Sequence, residues 1–178
     1  MKLVIKYGGT SISNAKDIQA VSKHVNELSK KHQIVLVCSA TSGTTDDLIE
    51  ISESIKKENK SKAEQLVSKI TNRHKQLAKQ TIKKSDVQKK LLIKLNEDFK
   101  ELLALIDGLV LLGEVTSRSM DYLISFGERL SIKLVAAAIN DLTKKSISLT
   151  GKEVGIVTDS NFGESKPLID TTRLRVSK

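Results

Sequence analysis

The first fifty residues alternate twice between a short apolar run and an amphipathic helix, and this alternation constrains the fold most. The run at residues 3–5 stops at the pair Gly8-Gly9, as a strand that ends in a glycine turn does. The run at residues 34–37 is apolar throughout, which predicts a second strand covered on both faces. The pattern therefore predicts an α/β fold with a mostly parallel sheet flanked by helices.

The first two helices have recognisable start signals. Asn14 offers a side-chain cap for a helix that continues, by its apolar spacing, to about residue 31. Thr44, with Asp47 three residues later, resembles a capping box and predicts the start of the second helix.

The rest of the chain is mainly helical in pattern. Residues 61–106 predict two helices with a break near residues 84–86, and we interpret them as a helical excursion from the α/β core because no linker flanks them. A further helix is predicted from about residue 116 to residue 141, followed by strands at residues 146–149 and 155–157. The length of 178 residues suits one domain over 1–178.

The net charge of +9 raises the question of nucleic-acid binding. Residues 56–100 contain 14 lysines and arginines against five acidic residues, which accounts for the whole excess. These cations follow a helical pattern, and lysines on amphipathic helices usually form a solvated face. Aromatic residues, which stack on bases, make up only 3% of the chain. We therefore expect no nucleic-acid partner.

The remaining composition is typical of a cytoplasmic protein. Cys38 is the single cysteine, so an internal disulfide is impossible and a reducing compartment is expected. The N-terminus leads directly into a strand-like run without a signal peptide, and no apolar run reaches the ~20 residues that cross a bilayer. The histidines show no metal-ligand spacing, so we predict no metal site from them; they are His24, His32 and His74.

The first candidate site is the turn after the first strand, from Lys6 to Ser11. The backbone N–H groups of Gly8 and Gly9 can approach a phosphate closely, and the next helix adds its positive end. Lys6 could neutralise charge on a transferring phosphoryl group, while the hydroxyls of Thr10 and Ser11 could hydrogen-bond its oxygens. An ordinary strand-to-helix turn has the same composition, so this segment alone leaves both interpretations open.

The second candidate site is the polar turn at residues 39–45, which includes Ser39 and Thr45. In open α/β sheets, ligands bind beyond the carboxyl ends of the strands, so parallel strands would bring this turn to the same edge as the glycine turn. Helix capping explains its hydroxyls equally well. Another polar segment, residues 155–163, is in isolation best explained as a structural β-turn.

The third candidate is Glu128, whose carboxylate is predicted to lie on an apolar helical stripe. Burying an unpaired carboxylate costs several kcal/mol, so Glu128 needs a partner. A ligand ammonium group would serve, and so would Lys6 or Arg129. The preceding Gly127 costs about 1 kcal/mol in a helix interior, which indicates that another group approaches closely there.

Together, the order and identity of these segments resemble the amino acid kinase family, and aspartate kinases in particular. Related kinases for acetylglutamate, carbamate, glutamate or UMP share the glycine turn but do not usually combine it with Phe-Gly-Glu-Arg-Leu-Ser. The matching segments are Lys6 to Ser11 (the family's Lys-[Phe/Tyr]-Gly-Gly-Thr-Ser), Ser39-Ala40 with Thr45, residues 126–131 (Phe-Gly-Glu-Arg-Leu-Ser), and Thr158-Asp159 with residues 161–163.

The resemblance implies the family's three-layer α/β sandwich, here incomplete, and a phosphoryl transfer. The reaction would move a phosphoryl group from ATP, with Mg²⁺ bridging its phosphates, to the side-chain carboxylate of L-aspartate. Its product, 4-phospho-L-aspartate, begins lysine, threonine and methionine biosynthesis. The implied roles are stabilisation of the transferring group by Lys6, phosphate binding by Gly8, Gly9, Thr10 and Ser11, and aspartate binding by Ser39, Thr45 and Glu128, with Glu128 meeting the α-ammonium group.

Two features separate this chain from the family pattern. Asp46 follows Thr45, where the family usually has asparagine. In the family, a glycine-rich segment with a catalytic aspartate and a substrate-binding arginine follows the matching part, and the ATP-binding half and regulatory domains come later. We therefore expect residues 1–178 to be the amino-acid-substrate part of a kinase domain, weakly active or inactive alone. The alternative is a non-catalytic binding or interaction module with the family fold; a homo-oligomer is compatible with both.

Overall fold

The computed structural model describes residues 1–142 and 145–177. The predicted domain 1–178 also includes Thr143, Lys144 and Lys178, which lie outside the described residues. A 3₁₀ turn at Gly9–Ile12 follows the first strand. The strands and α-helices of the described chain are β1 (Lys2–Tyr7), α1 (Ala15–Leu28), β2 (Gln33–Cys38), α2 (Thr44–Lys56), α3 (Lys60–Thr81), α4 (Ser85–Leu112), α5 (Ser117–Leu142) and α6 (Ile169–Val176).

The two strands pair in parallel, in register from Lys2 opposite Gln33 to Tyr7 opposite Cys38. Helix α1 connects them, as a parallel pair requires a crossover of this kind. Its start is capped as predicted, because the Asn14 side chain accepts a hydrogen bond from the Asp17 amide at 3.0 Å. Both strands therefore end at the same edge of the sheet, and the predicted α/β class is confirmed.

Described residues cover only one face of this sheet. Tyr7, Ile34 and Leu36 pack against the helical core, whereas Val4 and Val35 on the other face are 73% and 54% exposed. The prediction that β2 is covered on both faces is therefore wrong for the described chain. A continuous apolar run reflects β propensity as well as burial, and the sequence alone does not separate the two causes.

Helix α5 is the centre of the helical layer, since it contacts α1, α2, α3, α4 and β2. Phe126 and Leu134 on this helix are fully buried. The predicted helical excursion is present as α3 and α4, which are separated at residues 82–84, close to the predicted break. Because α5 runs from the helical core to β2, its polar residues can reach the edge of the sheet.

The strands predicted at residues 146–149 and 155–157 do not form. Residues 145–150 have no regular structure, residues 151–155 form a turn, and the ordered pairing nearby is one antiparallel bridge between Thr158 and Pro167. Ile147 and Ile156 are 79% and 48% exposed. A strand requires a partner for its backbone groups, and no described strand pairs with either segment. The apolar patterns there indicated β propensity without supplying that partner.

No described helix is long and apolar enough to cross a lipid bilayer.

Candidate active site at the carboxyl edge of the sheet

The turns that follow β1 and β2 lie against each other. A Cβ atom placed on Gly9 would be 2.9 Å from the carbonyl oxygen of Ala40, so only glycine fits at this approach without a shift of the backbone. Gly8 differs, because a Cβ atom there would meet nothing within 4 Å. The structure thus brings the glycine turn and the polar turn together at the edge where the two parallel strands end.

Helix α5 approaches the same point through Gly127. A Cβ atom on this residue would lie 2.8 Å from the Ala40 Cβ atom and 3.8 Å from the Thr45 hydroxyl oxygen. Glycine at this position destabilises the helix by about 1 kcal/mol relative to alanine, but it allows α5 to pack directly against the polar turn. The close approach predicted from a glycine inside a helix is therefore present, and the approaching group is Ala40.

Glu128 follows directly and is half-buried. Its Oε1 atom accepts a hydrogen bond from the Ala40 backbone N–H at 3.2 Å. One turn later, the hydroxyl of Ser131 donates to the carbonyl oxygen of Ser39 at 2.6 Å. In the described part of the chain, the Oε2 atom of Glu128 has no hydrogen bond or ion pair. The protein partners considered for Glu128, Lys6 and Arg129, are not the ones it uses.

Lys6 lies at the end of β1 but on the uncovered face of the sheet. It pairs with Val37 in the register, is exposed, and has no ion pair with any described residue. Thr10 is exposed and Ser11 donates its backbone N–H to the Gly8 carbonyl at 3.0 Å within the 3₁₀ turn. Lys6 and Glu128 therefore lie on opposite faces of the sheet at the same edge, and they do not contact each other.

Helix α2 begins differently from the prediction. Its N-cap is Gly43, at φ 72°, and no side chain caps it. Thr44 is the first helical residue, and its hydroxyl contacts that of Thr41 at 2.8 Å. The Asp47 carboxylate turns instead to Lys69 and Arg73 of α3, each at 2.7 Å. The predicted capping box is wrong, because Thr44 lies one residue past the N-cap and Asp47 pairs with cations of α3 instead of the backbone at the helix start.

A buried ion cluster fixes α5 against α4. Asp98, 2% exposed, lies 2.9 Å from Arg129 Nη2 and 2.5 Å from Lys133 Nζ. Arg129 also pairs with Glu101 and lies over the Phe126 ring at 4.3 Å. Hydrogen bonding to Arg129 lowers the pKa of Glu101 to about 2. This cluster explains why Arg129, although adjacent to Glu128, is unavailable as its partner.

Three residues that shape the site are absent from the predicted site residues, although Ala40 lies in the matching segment Ser39-Ala40. Ala40 contributes a backbone N–H, which no side-chain pattern reveals. His74 and Asp98 are polar residues on the apolar stripes of α3 and α4, and such positions indicate buried groups that need partners. Among the described residues, no group of three or more His, Cys, Asp or Glu side chains could hold a metal ion.

Residues 1–175 match the model of the amino acid kinase family, and the chain belongs to that family. Within it, similar proteins are aspartokinases. The chain is 30% identical to aspartokinase 1, chloroplastic, of Arabidopsis thaliana over 162 residues, which are 89% of this chain and 27% of that protein. It is 34% identical to aspartokinase of Schizosaccharomyces pombe over 145 residues, or 78% and 28% of the two chains. The chain thus spans less than a third of the length of these relatives.

Solved structures show the same fold. Escherichia coli aspartokinase III in complex with aspartate and ADP superimposes with a TM-score of 0.84 at 19% identity, over 99% of this chain and 37% of that one. The same enzyme in complex with lysine and aspartate gives a TM-score of 0.84, also at 19% identity, over 98% and 36%.

Proposed function

We propose that residues 1–178 are the amino-acid-substrate part of an aspartate kinase domain. The parent enzyme would transfer a phosphoryl group from ATP to the side-chain carboxylate of L-aspartate and give 4-phospho-L-aspartate, the first step toward lysine, threonine and methionine. The observation that carries this proposal is the hydrogen bond of Glu128 to Ala40, next to the packing of Gly127 beside Thr45, at the edge where the glycine turn also ends. The aspartate bound to the similar E. coli enzyme supports the same ligand class.

In this proposal Glu128 recognises the α-ammonium group of aspartate. One of its oxygens is engaged by the Ala40 amide, which orients the carboxylate and leaves the other oxygen for the ligand. The hydroxyls of Ser39 and Thr45 would donate to a ligand carboxylate. A charge-assisted hydrogen bond of this kind contributes about 1.5–3 kcal/mol. Asp46 is exposed on the first turn of α2, where water screens its charge from the anionic substrate.

The phosphoryl end of the site would lie at the glycine turn. Open space around Gly8 leaves its backbone accessible, and Gly9 holds the turn tightly against Ala40. The backbone N–H groups of both glycines, with the hydroxyls of Thr10 and Ser11, would bind phosphate oxygens. Lys6, exposed and without an ion pair among the described residues, would stabilise the charge that develops during transfer.

ATP and Mg²⁺ are the cofactors that this proposal requires. The glycine turn and Lys6 fit the phosphate end of a nucleotide, because both present positive or N–H groups at an open strand end. The described residues contain no cluster of acidic side chains that fits a divalent cation. We therefore assign to this chain the binding of the amino acid and of phosphate oxygens.

Binding of the amino acid tests the proposal directly. Calorimetry should detect L-aspartate and, at least tenfold more weakly, succinate, which has both carboxylates but no ammonium group. Glu128→Gln should abolish this preference, because the amide keeps the shape and loses the charge. The matched control is Glu97→Gln, an exposed carboxylate on α4. Equal affinity of the wild-type protein for aspartate and succinate would contradict the role of Glu128.

Turnover is a separate question from binding. An ADP-production assay with aspartate and Mg·ATP should show weak or no activity for the 178 residues alone. Clear turnover that disappears in Lys6→Met would show that this chain contains more of the catalytic machinery than we propose. Aspartate binding without turnover, lost in Glu128→Gln, is the expected combination.

We also propose a cytoplasmic enzyme without a nucleic-acid or membrane partner; self-association into a homo-oligomer remains compatible with it. Several cations of the basic stretch are already neutralised, since Lys60 and Lys62 pair with Asp107 and Glu50 at 2.9 and 2.5 Å. Fluorescence anisotropy with labelled DNA and RNA at 150 mM salt checks this, and saturable binding there would contradict it.

A further inference from the structure

A buried polar network lies behind the turn at residues 39–45, on the side facing α3. Its members are Thr41, Thr44 and His74, which are 2%, 0% and 0% exposed. A buried polar group without a hydrogen-bond partner destabilises the fold, so each hydrogen bond in this network satisfies a group that water cannot reach. None of these side chains belongs to the proposed aspartate-binding or phosphate-binding set.

The direction of each hydrogen bond can be assigned. His74 Nδ1 lies 2.9 Å from the Ile70 carbonyl oxygen, which can only accept, so Nδ1 carries the proton. Burial lowers the pKa of His74 to about 4, so the ring is neutral near pH 7 and Nε2 is an acceptor. The Thr41 hydroxyl, 3.2 Å away, therefore donates to Nε2.

The other end of the network is assigned in the same way. Arg73 Nη1 donates to the Thr44 hydroxyl oxygen at 3.3 Å. Thr41 has already used its hydrogen on His74, so Thr44 donates its own to the Thr41 oxygen at 2.8 Å. The chain of donors thus runs from Arg73 through Thr44 and Thr41 to His74, and one arrangement of hydrogens satisfies every link.

The network holds both ends of the proposed substrate turn. Thr41 follows Ala40, whose N–H orients Glu128, and Thr44 precedes Thr45. Between them Gly43 has a positive φ of 72°. A Cβ atom there would lie 3.7 Å from Arg73, so the guanidinium also packs over the turn.

We propose that His74 is a positioning residue for aspartate binding: its neutral imidazole, through Thr41 and Thr44, keeps the Ala40 amide on Glu128 and keeps Thr45 beside Gly127. This inference rests on the proposed function for its ligand, while the conformational role of His74 can be measured without any ligand. The role differs from simple core packing, because it requires an acceptor at the position of Nε2 rather than an apolar ring of the same size.

Two substitutions separate these roles. His74→Phe keeps a planar ring and removes the acceptor, while His74→Gln places an amide oxygen where it can accept from Thr41. We expect aspartate affinity to fall about tenfold in His74→Phe and to stay within about threefold of wild type in His74→Gln. Leu77→Ala, on the same helix, is the control that lowers stability but removes no hydrogen bond of the network; its aspartate affinity should be unchanged.

Amide hydrogen exchange in the ligand-free protein gives an independent readout. The Ala40 N–H is bonded to Glu128 and the Thr44 N–H to the Thr41 carbonyl at 3.0 Å, so both report the conformation of the turn. Their exchange should become at least tenfold faster in His74→Phe, relative to amides of α5, and remain near wild type in His74→Gln and Leu77→Ala.

The outcomes are distinct. If wild-type protein fails to bind aspartate but His74→Phe loosens the turn, the proposed function fails and the positioning role stands. If His74→Phe does not fold, the pair Thr41→Val and Thr41→Ser makes the same comparison from the other side of the bond. Unchanged exchange at Ala40 in Thr41→Val, or a ¹⁵N spectrum showing His74 protonated on Nε2 in the wild type, would overturn the inference.

Discussion

The carboxylate of Glu128 accepts a hydrogen bond from the backbone N–H of Ala40 at 3.2 Å, across 88 positions of the chain. This bond joins helix α5 to the turn after β2, and the neighbouring contact between Ser131 and Ser39 reinforces it. The carboxylate therefore has a fixed orientation before any ligand arrives, which reduces the ordering cost of binding.

The contact between α5 and the turn makes Gly127 intolerant of a larger side chain. Gly127→Ala would place a Cβ atom 2.8 Å from that of Ala40. The gain in helix propensity of about 1 kcal/mol offsets part of the overpacking cost of about 1–3 kcal/mol. We expect the free energy of unfolding in urea to fall by up to about 2 kcal/mol and aspartate affinity to fall with it.

Gly108→Ala is the matched control for this substitution. Gly108 also lies inside a helix, α4, but a Cβ atom there would meet nothing within 4 Å. This variant should be as stable as wild type or more stable by up to about 1 kcal/mol. If both alanine variants respond alike in urea, the close approach at Ala40 is not what requires glycine at 127.

Asp98 should be important for stability because it neutralises two cations on α5. Asp98→Asn would remove the carboxylate that pairs with Lys133 and one of the two that pair with Arg129, and these cations are 21% and 18% exposed. We expect the free energy of unfolding to fall by about 3 kcal/mol, measured by urea denaturation. Asp170→Asn removes one partner of a pair 3.7 Å apart, with Asp170 95% exposed, and should change nothing measurable. A similar loss in both variants would contradict the role of burial.

Protonation of His74 should make the protein less stable in mild acid. Burial lowers its pKa to about 4 from the ordinary 6.5, so the unfolded chain binds the proton more readily than the folded one between these values. The free energy of unfolding therefore decreases as the pH falls from 6.5 toward 4, by roughly 3 kcal/mol in total. Arg73 on the same helix adds to this effect, and the Phe99 ring faces the imidazole edge-on at 6.3 Å.

Urea midpoints measured from pH 7.5 to 4.5 check this dependence. His74→Phe cannot be protonated at this site, so its stability should decline less over the same range. Parallel curves for the two proteins would show that the buried imidazole is not the group responsible.

Cys38 should react slowly in the native protein. It is 8% exposed, and burial raises the pKa of its thiol to about 11, so little thiolate is present at pH 8. We expect iodoacetamide to alkylate Cys38 at least a hundredfold more slowly in buffer than in 8 M urea. Mass spectrometry of samples taken over time measures both rates. Rapid labelling of the folded protein would mean that the end of β2 opens readily.

Local patterns in the sequence were sufficient for several features of this protein. Asn14 predicted the start of α1, and its side chain caps that helix by accepting a hydrogen bond from the Asp17 amide. The break between α3 and α4, at residues 82–84, lies close to the predicted break at residues 84–86. Gly127 predicted a close approach. The helix start and the break depend on residues that are neighbours in sequence, and the close approach depends on the missing side chain of a glycine. Both kinds of information can be read directly from the sequence.

Other features depended on groups distant in sequence. Asp47 has the spacing of a cap residue, yet it binds Lys69 and Arg73 because α3 brings two cations to it. Apolar residues at 146–149 and 155–157 predicted strands, but a strand exists only where another strand satisfies its backbone. His74 gave no recognisable motif, although the fold surrounds it with hydrogen-bonding partners.

The sequence by itself determined the α/β class, the approximate limits of α1 and α5, and the membership of the amino acid kinase family, because periodicity, glycine and motif order are local properties. Only the tertiary structure decided which groups meet at the sheet edge. It placed the amide of Ala40 against Glu128 and kept Arg129 away with Asp98, since the choice among competing partners for a charge depends on packing in three dimensions.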